Sequence, residues 1–224
     1  LFILNLYLIS GLVDGLVAIY FSFSAYLIYD IFVNKQNSFN YLLIAFCFLI
    51  ILSLLKNEGI IMVIILLAIV IIINILKKNF LQNYKKIIFL LFSIIPFLIW
   101  KIICINYNIK NDIINYDILN LLINRIFDYN SFIIIFEFLI LDAKFILSII
   151  FTLIAFNFTK NKKIFYLSLS VGMAYIFSLF IVYLSIPYDL EWSISMGASR
   201  VIMPLTLLFS FFGLLQIYYK NVKV

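Results

Sequence analysis

The chain has 224 residues, of which 67% are hydrophobic and only 12% charged, with a mean hydropathy of +1.21. No soluble domain is built on such a composition, and the apolar runs recur near the roughly 20 residues that a bilayer-spanning helix needs. Histidine is absent and the net charge is +6, but the lysines are scattered between apolar runs, so His-based catalysis and a nucleic-acid partner are both set aside.

The first residue is Leu1, inside an apolar stretch that lacks the basic region and cleavage site of a signal peptide. The expectation is a single transmembrane domain over 1–224 that lacks the N-terminal helices and first external loop of its parent protein. Apolar runs predict seven spans near 13–34, 39–55, 60–76, 87–106, 137–158, 164–186 and 200–219. The fold class expected is all-α, a polytopic transmembrane bundle of about seven helices. Cys47 and Cys104 both fall inside these runs without metal or redox spacing, and are expected as small buried side chains.

The first span opens in "SGLVDG", where Asp14 either caps free backbone N–H groups or serves a site. The connection "NKQNS" follows, and the second and third spans are joined by "LKNEG". There Lys56 meets an anionic substrate group while Glu58 or Asn57 orients it or accepts a hydroxyl proton; alternatively the segment is a polar turn with a local ion pair, tightened by Gly59. The connections "NKQNS", "KKNFLQNYKK" and "TKNKK" and the tail "YYKNVKV" carry Lys35, Lys77, Lys78, Lys85, Lys86, Lys160, Lys162, Lys163, Lys220 and Lys223, ten of the sixteen basic residues. The positive-inside rule makes that side cytoplasmic and puts the other connections outside.

Between the fourth and fifth spans, the long outer stretch from Asn106 to Phe136 repeats apolar residues at helical spacing. Ile114, Ile118, Leu121, Leu122 and Ile126 form one face, Arg125 is the exception within it, and Asp117, Asn120 and Asn124 fall elsewhere. This predicts an external amphipathic helix in the interface, either a lid or a simple cover. Near the last span, "PYDLEWSISMGASRVIMPL" is expected as a loop over 187–199 ending in Arg200 at a helix N-terminus. Arg200 suits a phosphate or pyrophosphate, with snorkelling or pairing to Asp189 or Glu191 as the alternatives. Arg125 is the lesser phosphate candidate. Tyr188 and Trp192 are interface-belt residues or a platform for a sugar ring.

Together, "SGLVDGLVAIY", "LLKNEG" and "PYDLEWSISMGASRVIMPL" resemble, in order and spacing, the polytopic bacterial GT-C glycosyltransferases related to dolichyl-phosphate-mannose-protein mannosyltransferases. The resemblance implies a transferase in the cytoplasmic (inner) membrane with its active face outside. Its donor would be a polyprenyl-phosphate-linked sugar, and its acceptor a glycan, lipid or protein. No metal and no certain cofactor are implied, and membrane lipid is a partner. Substrate-binding positions carried over are Lys56, Asn57, Glu58, Tyr188, Asp189, Trp192 and Arg200. The family's base lies in a first external loop that this chain does not contain, so the base stays open, with Asp14 and Glu58 as candidates. Where relatives carry Thr-Ser and a charged residue before the arginine, this chain has "SMGAS", so Ser195 and Ser199 are not carried over. A transporter or a flippase for a lipid-linked sugar, without transfer chemistry, is the competing reading.

Overall fold

The computed structural model describes residues 13–34, 38–107, 109, 118–140, 142–159 and 162–221. Among these no strand occurs, and the chain is all-helical. The helices are α1 (Val13–Phe32), α2 (Phe39–Leu55), α3 (Asn57–Leu76), α4 (Phe80–Leu91), α5 (Ile95–Asn106), α6 (Ile118–Ile126), α7 (Tyr129–Ile140), α8 (Ala143–Phe158), α9 (Lys162–Leu184), α10 (Leu190–Val201) and α11 (Met203–Asn221). Lys35, Lys160, Lys223, Ile114 and Asp117, used in the sequence reading, lie outside the described residues.

Among the described residues, five segments are long and apolar enough to cross a membrane: Val13–Phe32, Asn57–Leu76, Phe80–Asn106, Lys162–Leu184 and Gly197–Tyr219. Each has at least 18 residues, or about 27 Å of rise at 1.5 Å per residue. Helices α2 and α8 are shorter, at 17 and 16 residues. The chain is a multi-pass membrane protein whose apolar surface is largely exposed and whose core is a seam of buried Phe, Leu, Ile and Val.

The chain reverses at named places. Only Lys56 separates α2 from α3, in an extended conformation (φ −158°, ψ 156°), so Asn57, Glu58 and Gly59 are already helical rather than part of a turn. Gly59 is needed for close approach: a Cβ there would overlap the Leu52 carbonyl oxygen of α2. At the opposite end, Lys78 takes φ 55° to close α3 into α4, the Lys77 ammonium donates to the Phe32 carbonyl at 3.3 Å, and Asn83 of α4 donates to Asn74 of α3 at 2.7 Å. Helix α4 begins at Phe80, so Lys85 and Lys86 belong to a helix and not to the expected connection. A 3-10 turn at Phe92–Ile94, followed by Pro96 at the start of α5, marks this long rod.

Small residues set the tight packing of α11. Gly172 of α9 faces the Phe209 ring, and Gly213 faces Phe151 of α8. The Thr152 hydroxyl of α8 reaches the Phe209 carbonyl at 2.7 Å, an interhelical bond in an apolar setting. Phe145 of α8 also packs on Phe209, so α8 and α11 run side by side in the same direction.

Three further expectations need correction. The span expected at 137–158 is broken, with α7 ending at Ile140 and α8 starting after Asp142, whose carboxylate accepts from the Phe145 N–H at 2.9 Å. An N-cap acid outweighs the hydropathy of its neighbours because it satisfies a donor the helix start leaves open. The segment 187–199 is not a loop: Asp189 caps α10 by accepting from the Trp192 N–H at 2.8 Å, and Leu190, Ile194 and Ala198 bury one face of it. Cys47 is exposed on the bundle surface and Cys104 is half-buried, so neither is the interior residue expected.

The described part of the amphipathic helix is α6. Its inward face holds Leu121, Leu122 and Arg125, while Ile126 is exposed. Beyond it, the Ser131 hydroxyl at 2.6 Å, with the Asn130 and Ser131 N–H groups, holds the Asp128 carboxyl below the usual carboxylate range and starts α7.

Candidate functional site

Where α1, the α2–α3 turn and the α10–α11 junction meet, four charged side chains join. Asp14, in the first turn of α1, accepts at Oδ1 from Lys56 Nζ and at Oδ2 from Arg200 Nε, both at 2.7 Å. Glu58, in the first turn of α3, places Oε1 3.6 Å from the same Lys56 ammonium. The Asp14 side chain is 5% exposed, whereas Lys56 and Arg200 are 30% and 40% exposed. The carboxylate is therefore the buried hub and the two cations reach out from it towards the surface. Two acids and two cations leave the cluster neutral, which is how charges persist among apolar helices.

The cluster lines a narrow cleft of about 10 Å³, room for about one water, whose remaining walls are Val17, Met62, Tyr175, Val201 and Pro204. Helix-end geometry explains why these segments meet. Gly59 draws α3 onto α2 and so fixes Lys56 and Glu58; Gly172 admits Phe209 and so fixes α11, with Arg200 just before it, against α9. The Tyr175 hydroxyl of α9 donates to the Val201 carbonyl at 3.2 Å, which ties down the α10–α11 junction.

No family model, no curated protein and no solved structure matches the chain. The chemistry of the cleft is therefore read from its own geometry. It offers two cations beside one another, a carboxylate already engaged by both, and a second carboxylate with an oxygen to spare. Glu58 Oε2 is buried and has no hydrogen-bond partner among the described residues.

The structure thus brings together Asp14, Lys56, Glu58 and Arg200. Two local alternatives left open by the sequence are resolved in the geometry of these ion pairs. Asp14 spends both oxygens on side-chain cations rather than on capping α1, and Arg200 pairs with Asp14 rather than with Asp189 or Glu191. Arg200 stands in the last turn of α10, not at a free helix N-terminus, since α11 follows directly from Met203.

The other named positions lie elsewhere. Asn57 accepts from Lys101 of α5 at 3.4 Å on the exposed side of the turn. Tyr188 and Trp192 pack edge to face, 6.3 Å between ring centroids, at the opposite end of α10 from Arg200. Asp189 is the cap of that helix. The eight residues from Trp192 to Arg200 rise about 12 Å along its axis. Arg125 is used structurally: its guanidinium donates to the Ile186 carbonyl at 2.6 Å, the Tyr188 carbonyl at 3.0 Å and the Tyr183 carbonyl at 3.5 Å, closing the C-terminal end of α9. Helix ends leave such carbonyls open, and a cation there also suits the dipole.

Sequence reasoning missed Tyr175 and Met62 as walls of the cleft. A tyrosine in an apolar helix is a signal of a polar neighbour, but Tyr occurs 15 times in the chain, and the residue type alone does not select one.

Proposed function

We propose that the chain is a membrane glycosyltransferase that moves a sugar from a polyprenyl-phosphate carrier to an acceptor hydroxyl on the outer face of a bacterial cytoplasmic membrane. The observation that carries this reading is the meeting of Lys56 and Arg200 on one buried carboxylate, from positions up to 186 residues apart in sequence, beside a second carboxylate at the same end of the bundle. A lipid phosphate carries its anionic head at the depth of helix ends and its chain among apolar helices. Two cations at helix ends match that distribution. The anion meets Lys56 and Arg200 on their exposed sides while both keep their Asp14 contacts, and charge developing on the departing phosphate is stabilised by the two cations. A lipid phosphate leaves readily, so the reaction needs a base for the acceptor hydroxyl and no general acid.

The topology that goes with this reading has seven crossings. To the five long helices it adds α2 and α8, each of which connects segments whose joined ends lie at opposite ends of the bundle. Lys77, Lys78, Lys162 and Lys163 stand at the end away from Asp14, which the positive-inside rule makes cytoplasmic, so the cleft opens outside. Transport without chemistry places substrate groups near the bilayer midplane on interrupted helices. Here the acids stand in the first turns of α1 and α3, which favours the transferase.

The test is transfer of a labelled sugar from a polyprenyl-phosphate donor by protein in membranes, with protein level checked. Arg200→Ala is expected to lose about 2–3 kcal/mol of transition-state stabilisation, roughly a 30- to 150-fold drop, with Arg200→Lys between it and the wild type. Near-normal transfer by a folded Arg200→Ala variant removes Arg200 from the site.

A further inference from the structure

We infer that Glu58 is the proton acceptor of this site and that Asp14 is a positioning residue, an assignment that rests on the transferase reading. The two acids differ in what their oxygens do. Both oxygens of Asp14 accept charge-assisted bonds at 2.7 Å, one from Lys56 and one from Arg200. A proton arriving at either must displace a cation. Asp14 therefore holds the two cations in place, ready for an anion, and is poorly placed to take a proton from a neutral hydroxyl.

Glu58 has the complementary arrangement. Its Oε1 stands 3.6 Å from Lys56 Nζ, an ion pair longer than a hydrogen bond. Its Oε2 is buried and accepts from no described residue, although the carboxylate lines the cleft. An ionised carboxylate is acceptor-only, and a buried oxygen without a donor is costly, so this position calls for a hydrogen-bond donor. The groups around Glu58 are Lys56 from the α2–α3 turn, Tyr175 and Tyr183 from α9, Arg200 from α10 and Asp14 from α1. Tyr175, the tyrosine that lines the cleft, gives its hydroxyl to the Val201 carbonyl and does not serve Glu58.

The step balances as one displacement. The acceptor hydroxyl oxygen attacks the anomeric carbon, and the bond from that carbon to the phosphate oxygen breaks with its electron pair on the phosphate. The hydroxyl proton passes to Glu58 Oε2. The polyprenyl phosphate departs as an anion beside Lys56 and Arg200, and the proton later leaves through the mouth of the cleft. Attack opposite the leaving group inverts the anomeric configuration.

The test uses E58Q, E58D and D14N in proteoliposomes, measuring binding of a labelled polyprenyl-phosphate sugar and, separately, its transfer as a function of pH. In the wild type, transfer is expected to fall at acid pH, as in any reaction that needs an ionised base. E58Q is expected to keep donor binding, to transfer about 10²- to 10⁴-fold more slowly, and to lose the acid limb from the activity that remains. E58D, which keeps a carboxylate, retains the acid limb and transfers faster than E58Q. D14N retains the acid limb and changes the donor KM more than kcat. Near-normal transfer by E58Q, or an acid limb that vanishes in D14N and persists in E58Q, overturns this assignment and leaves the transferase reading standing. So does equal loss of donor binding in E58Q and E58D, which marks Glu58 as structural. A wild type that transfers no sugar from any polyprenyl phosphate overturns the transferase reading and this assignment with it.

Discussion

Replacing Asp14 by Ala removes the carboxylate that both Lys56 and Arg200 reach. Each lost bond is charge-assisted, and such bonds contribute about 1.5–3 kcal/mol, so the pair sums to about 3–6 kcal/mol when fully buried. The side chains of Lys56 and Arg200 are 30% and 40% exposed, however, and the freed cations turn partly to water. Screening lowers the working figure to about 2–3 kcal/mol, under the ~3–5 kcal/mol of a stranded, fully buried charge. For a chain of this size about 2–4 °C of melting temperature accompanies each kcal/mol, so Asp14→Ala is expected to melt about 4–12 °C lower. The assay is a thermal melt of detergent-solubilised protein read by size exclusion, with variants run in parallel. Asp14→Asn recovers part of the loss. The quadruple variant Asp14→Leu, Lys56→Met, Glu58→Gln, Arg200→Met, which removes all four charges, recovers most of it. A single Asp14→Ala variant that melts with the wild type refutes the hub role, and so does a quadruple variant no more stable than the single one.

Gly59→Ala puts a Cβ onto the Leu52 carbonyl of α2; the obstacle is backbone, so the helices must part, at a cost of about 1–3 kcal/mol that the same melt detects. An unchanged melt would mean that α2 and α3 are not in close contact there. Arg125→Lys keeps the charge but loses the fork that serves the Ile186 and Tyr188 carbonyls, so limited proteolysis between α9 and α10 is expected to speed up, and further in Arg125→Ala; equal rates in all three would dismiss the clamp. For topology, single cysteines at Lys78 and Ser193, in a background with Cys47 and Cys104 replaced by Ala, are expected to react with an impermeant thiol reagent from opposite sides of the membrane. The same side for both discards the seven-crossing arrangement.

Much of the helical layout was legible. The sequence places α1, α2 and α9 within about two residues of their observed ends, because apolar runs bounded by Lys, Asn and Ser report the cost of moving each side chain out of water, which is a local property. It failed where a single polar residue decides. Asp142 splits an apolar run that hydropathy joins, and Asp189 starts a helix in a segment polar enough to pass for a loop; both caps stand in the sequence as Asp followed by helix formers, a signal available but outweighed. Arg125 gave no sign that its partners would be carbonyls, since backbone groups carry no sequence label.

By itself the sequence determined that this is an apolar, multi-helix membrane chain, and it singled out Asp14, Lys56, Glu58 and Arg200, because an ionisable residue among apolar ones stands out wherever it lies. Only the tertiary structure decided that these four share one cleft, that Asp14 is committed to both cations, and that Glu58 keeps an oxygen unpartnered among the described residues. Asn57, Tyr188, Asp189 and Trp192, equally visible as polar or aromatic residues, were separated from them in the same way. The reason is that pairing depends on where helix ends meet. That is fixed by close approaches such as Gly59 on Leu52 and Gly172 on Phe209, between residues whose partners no local pattern names.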